Sequence, residues 1–129
     1  MTTSLEREIE HSKYMLDNLL RDEFSISVKK STHSLAIDFI RRLSTCFVSM
    51  YNMPMPVPTI SHTPTGSVDF YWQVDDRIEL LVNISEYPER EAQFYGDVYG
   101  DTRLTIKGKM VPSCNSLHFL CNFLRYYNK

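Results

Sequence analysis

Glycine is scarce in this chain: four residues, at positions 66, 96, 100 and 108, among 129. Neither the G-x-G-x-x-G turn of a dinucleotide site nor a phosphate-cradling P-loop can be written with them. Cysteine is equally sparse. Cys46, Cys114 and Cys121 make an odd number, and each falls within an apolar helical pattern. That usage points to a reducing compartment rather than a disulfide framework. Basic excess is missing too, with 14 Lys and Arg against 16 Asp and Glu and a formal charge of -2. A nucleic-acid surface draws much of its affinity from phosphate contacts, so no direct nucleic-acid partner is expected. No apolar run approaches the ~20 residues needed to span a bilayer. No charged and apolar leader pattern opens the chain. The expectation is a soluble cytoplasmic protein without a membrane partner.

Hydrophobic side chains, by contrast, are plentiful, at 43% of residues with 12% aromatic. A chain of this length and composition can bury a core without metal or disulfide staples, which excludes the disordered class. One domain over residues 1–129 is expected. Its parts are a helical region at 1–51, a proline-rich connector at 52–66, a β-meander at 67–111 and a helix at 112–129.

The first helix should start near Thr3, which has capping-box spacing to Glu6. Leu5, Ile9, Leu16, Leu19 and Leu20 form its apolar stripe. Residues 24–28 alternate too briefly to separate strand from loop. Ser31 or Thr32 can cap a second helix, whose inner face reads Ala36, Phe39, Ile40, Leu43, Phe47 and Met50. Pro54, Pro56, Pro58 and Pro64 then enforce an extended connector. Its Met53, Met55, Val57 and Ile60 are expected to pack along the domain edge.

From Ser67 the period becomes two. Val68, Phe70, Trp72 and Val74, then Ile78, Leu80, Val82 and Ile84, mark one apolar face across a turn at Asp75-Asp76. Ala92, Phe94 and Val98, then Leu104 and Ile106, continue it. Such short connections favour antiparallel pairing. Leu117, Leu120, Cys121 and Leu124 line a last helix opened by Pro112-Ser113. The fold class is α+β in two layers: two N-terminal helices, a four-stranded antiparallel meander and a C-terminal helix.

Candidate chemistry is thin. Cys114, His118 and Cys121 share one side of the last helix, and thiolate with imidazole suits zinc. Two helical turns, about 10 Å, separate the cysteines, so core thiols beside a boundary histidine are the plainer account, and no metal or cofactor is expected. His62, in a Ser-His-Thr-Pro stretch, is the histidine expected to be exposed. Asp69 and Asp97 hold strand-face positions, whereas Asp75, Asp76 and Asp101 read as turn residues. No nucleophile elbow or cysteine-protease signature occurs, so no catalytic residue is assigned.

The outer face of the meander carries the remaining signal. Asp69, Tyr71, Gln73, Glu79, Leu81, Asn83, Gln93, Tyr95, Asp97, Arg103 and Lys107 have the parity opposite the core. Tyr71, Leu81 and Tyr95 are larger and more apolar than solvation requires, and tyrosine is enriched at protein interfaces. A duplicated tripeptide, Tyr95-Gly96-Asp97 and Tyr99-Gly100-Asp101, punctuates the same face. Cross-strand aromatic packing is the structural alternative.

Four segments carry a resemblance: P-T-I-S-H-T-P-T-G-S-V-D-F-Y-W at 58–72, L-L-V-N-I at 80–84, F-Y-G-D at 94–97 and I-K-G at 106–108. They resemble a widespread group of small bacterial proteins with no assigned activity, whose relatives commonly read Pro-Asp-Gly where this chain has Pro64-Thr65-Gly66. The resemblance implies a prokaryotic origin and the meander, and brings no catalytic residue. The expected function is a non-enzymatic accessory, inhibitor or antitoxin-like subunit. It would bind another protein through Tyr71, Gln73, Leu81, Tyr95, Asp97, Tyr99 and Asp101. A small hydrolase using Asp69, Asp97 and His62, or a homodimeric module, are the alternatives.

Overall fold

The computed structural model describes residues 4–21, 30–74, 78–85, 92–98, 104–110 and 114–127. Helices α1 (Ser4–Arg21) and α2 (Lys30–Tyr51) precede strands β1 (Thr59–His62), β2 (Val68–Val74), β3 (Ile78–Ile84), β4 (Ala92–Val98) and β5 (Leu104–Met110). Helix α3 (Cys114–Tyr127) follows. The strands lie side by side in chain order, each antiparallel to the next. The helices pack on one face, giving the two-layer α+β arrangement. No described helix is long and apolar enough to cross a membrane.

The meander stands as the two-residue alternation requires. Val68 faces Ile84, Phe70 faces Val82 and Trp72 faces Leu80 across β2 and β3, and all six are buried. Ala36, Phe39, Ile40, Leu43 and Phe47 of α2 meet them in one continuous apolar cluster, joined by Leu117, Leu120, Cys121, Phe123 and Leu124 of α3. The Phe39 ring lies 6.1 Å from Phe70, and Phe119 of α3 lies 5.6 Å from Phe94 of β4. Each large apolar side chain buried this way contributes roughly 1.5–3 kcal/mol. Trp72 also satisfies its one polar atom, donating its indole N–H to the Pro56 carbonyl at 2.8 Å. That bond ties the connector to the core.

Three local expectations need correction. Helix α2 begins at Lys30, so Ser31 and Thr32 lie inside its first turn, and Thr32 is buried. Met50 is 37% exposed rather than on the inner face. Asn52 ends the helix: with φ at 52° it takes the left-handed conformation and donates its N–H to Val48 O at 2.8 Å, a left-handed cap. Val57 is exposed, whereas Met55 and Ile60 pack inward.

The connector also contributes a strand that was not expected. Thr59–His62 pairs with Tyr71–Val68 and extends the meander on one edge. The turn between them is Pro64-Thr65-Gly66. The Gly66 N–H reaches Thr63 O at 3.0 Å and the Thr63 N–H reaches Ser67 O at 2.9 Å. Gly66 has φ at 90°, a conformation glycine adopts without steric penalty in a three-residue hairpin loop. An edge strand exposes unpaired amides, and α1 covers this one. Glu8 Oε1 accepts the Ile60 N–H at 3.0 Å.

Candidate functional site

The strand register fixes what shares the outer face. Thr59, Tyr71, Leu81, Tyr95 and Lys107 form one cross-strand row. Gln73, Glu79, Asp97 and Thr105 form the row on one side of it, and Ser61, Asp69, Asn83, Gln93 and Lys109 the row on the other. The structure therefore places Tyr71, Leu81 and Tyr95 side by side on three adjacent strands, all half-buried, with Gln73 exposed nearby. Tyr99 and Asp101 lie outside the described residues, as do residues 75–77, 99–103 and 24–28, on which two expected turns and an undecided segment fall.

Both tyrosines have fixed hydroxyls. Tyr71 donates to Glu79 Oε2 at 2.9 Å, and Tyr95 donates to Asp97 Oδ2 at 2.9 Å. Partial burial pushes the Tyr71 phenol above its ordinary range, and the Glu79 carboxylate beside it adds to the effect. The third row is closed by its own bonds. Asn83 Nδ2 donates to Asp69 Oδ1 at 2.6 Å and to Ser67 Oγ at 2.8 Å.

Asp97 departs from expectation. It has the outward parity anticipated, yet it is 0% exposed. Residues two apart on one strand share a face, and Tyr95 uses that closeness to bond the carboxylate. Asp97 therefore positions an aromatic neighbour rather than offering a free charge.

The Asp69, Asp97 and His62 combination does not assemble. Alternation along β1 puts Ile60 and His62 on the helix side, whereas Asp69 and Asp97 point the other way. The two aspartates are themselves separated by β3 and by the Tyr71 row. On α3, His118 is exposed while Cys121 is buried against Leu43 O at 3.8 Å. Their side chains thus serve different surroundings. Among the described residues no group of three His, Cys, Asp or Glu side chains could hold a metal ion.

His62 is not an exposed loop residue. Its Nε2 lies 3.1 Å from Ser12 O, and because a carbonyl only accepts, Nε2 carries the proton. Its ring lies 5.4 Å from that of His33 on α2, and its Nδ1 is buried with no hydrogen-bond partner among the described residues. Ser12 Oγ donates to Ile9 O at 2.7 Å and so accepts from His33 Nε2, 3.1 Å away. Burial, then His62 and then Lys13 push the His33 imidazole down to about 4, opposed by Asp17. This buried polar seam joins α1, α2 and β1. A helical-spacing signal for it existed: Ser12 falls between Ile9 and Leu16 on the stripe of α1, and His33 falls one turn before Ala36 and Ile37.

No family model, curated protein or solved structure matches the chain.

Proposed function

We propose that this chain is a non-enzymatic binding protein, an accessory, inhibitor or antitoxin-like subunit that takes up another protein on the outer face of its sheet. One observation carries the reading: Tyr71, Leu81 and Tyr95 stand as direct cross-strand partners on the face opposite all three helices. Holding both hydroxyls in place lowers the ordering cost of binding, as preorganised contact residues do. The acidic neighbours Asp69 and Glu79 favour a partner whose contact surface is apolar and basic. The loop that follows β4, with Tyr99 and Asp101, enters this reading from the sequence alone.

The test is capture of a partner by the tagged chain and by a variant carrying Tyr71→Ser, Leu81→Ser and Tyr95→Ser. Asp97 is left in place, because truncating a buried paired carboxylate would disturb the sheet itself. The variant should keep its circular dichroism spectrum and lose partner capture by tenfold or more, on the order of 1.4 kcal/mol. Equal capture by the two proteins would refute this face as the interface. Sedimentation of the purified chain addresses the homodimer alternative: a dimer dissociated by the same substitutions would make a second copy the partner.

A further inference from the structure

The interface between α2 and α3 holds two free thiols, Cys46 half-buried and Cys121 fully buried. Contacts on both sides of them fix their relative placement. Cys121 Sγ donates to Leu43 O at 3.8 Å, one turn before Cys46 on α2. Further along, the Tyr51 hydroxyl donates to Asn122 Oδ1, and the Arg125 guanidinium lies 5.6 Å from the centre of the Tyr51 ring. Cys46 follows Leu43 by three residues and so shares its side of α2, and its Sγ donates to Met50 Sδ at 3.8 Å on the same helix.

We propose that Cys46 and Cys121 form a redox-responsive pair that closes to a disulfide and staples α2 to α3 when a peroxide reaches the chain. Cys121 Sγ already lies against the turn of α2 that carries Cys46, so side-chain rotation with a small shift of the two helices brings the sulfurs toward the S–S length of about 2 Å. The order of events follows from access. Cys46 is half-buried and meets the oxidant first. Its thiolate attacks one peroxide oxygen, the O–O bond breaks, and hydroxide leaves with the proton lost from the thiol as water, giving Cys46–SOH. The Cys121 sulfur then attacks the Cys46 sulfur. The S–O bond breaks, and the departing hydroxide takes the Cys121 proton as a second water. Two thiols lose two electrons and one peroxide gains them.

Burial, and then the neighbouring Cys46, push the Cys121 thiol up to about 12. Both its burial and its protonated state keep it from the oxidant, so Cys46 is oxidised first, and Cys121 takes the resolving role by its place across the interface. The side chain of Cys114 lies outside the described residues. About 10 Å of helix axis separates its position from Cys121, too far for a bridge within α3.

The experiment treats the reduced full chain with hydrogen peroxide, followed by intact mass, peptide mapping and thermal melting. The expected product is a monomer lighter by the mass of two hydrogens, with a Cys46–Cys121 linked peptide. Its melting midpoint should rise by roughly 5–15 °C and fall back on reduction. Cys46→Ser, at a half-exposed position, should fold normally and show neither the mass change nor the shift. Recovery of Cys46 as sulfinic acid with Cys121 still alkylatable would overturn the proposal. So would a Cys46–Cys46 bridge between copies, a link through Cys114, or unchanged thiols.

Discussion

Acid should destabilise this protein through one buried imidazole. His33 is only 4% exposed, and it already gives its Nε2 proton to Ser12 Oγ. Protonating the ring would place a charge beside His62 and Lys13, with Asp17 alone in compensation. Its folded value of about 4 lies below the ordinary 6.5, so the unfolded chain takes up the proton first as pH falls. Stability from this residue is then fully present above about 6.5 and lost progressively as pH falls toward 4. The gap between those values converts to roughly 3 kcal/mol. Urea unfolding between pH 7 and pH 4 measures it, with His33→Gln as the reference. Glutamine keeps an N–H donor near the Nε2 position and does not titrate. Carboxylates contribute equally to both proteins, so the difference between the two curves isolates His33. The wild-type chain should lose about 3 kcal/mol more than the variant over that range. Parallel curves would refute the argument.

Three further outcomes follow from single contacts. Gly66→Ala forces a side chain into the left-handed turn between β1 and β2 and should cost about 1–2 kcal/mol in thermal or urea unfolding, with no cost if the turn relaxes. Glu8→Ala leaves the Ile60 N–H without its acceptor; stability should fall by about 1 kcal/mol, and hydrogen exchange at Ile60 should accelerate while exchange in β3 does not. Trp72→Phe removes the donor to Pro56 O and leaves space in the core. It should cost about 2–4 kcal/mol, and a smaller loss than Gly66→Ala would contradict the anchoring role.

The meander was legible because one side of the sheet is buried. Burial forces strict alternation, so Val68 to Val82 declare their face in the sequence without help from context. Helix α1 was legible for the same reason at a different period. Strand β1 was not. The four residues Thr59–His62 are too few to show a period, and pairing with β2 and the Glu8 cap hold them extended. That hidden strand also decided His62, because its parity carries the ring to the helix side. The tyrosine row was half legible. Alternation gave the shared face of Tyr71, Leu81 and Tyr95, but only the register shows that they stand opposite one another. The burial of Asp97 was beyond the sequence, since its outward parity reads as a wet position.

The most direct test of the binding face is site-specific photocrosslinking in living cells. A photoreactive residue replaces Leu81 in the tyrosine row or, in a second protein, Asp38, exposed on α2 among the helices. A discrete protein adduct from position 81 and none from position 38 is the expected result. An adduct from position 38 alone, or none from position 81, would contradict the account.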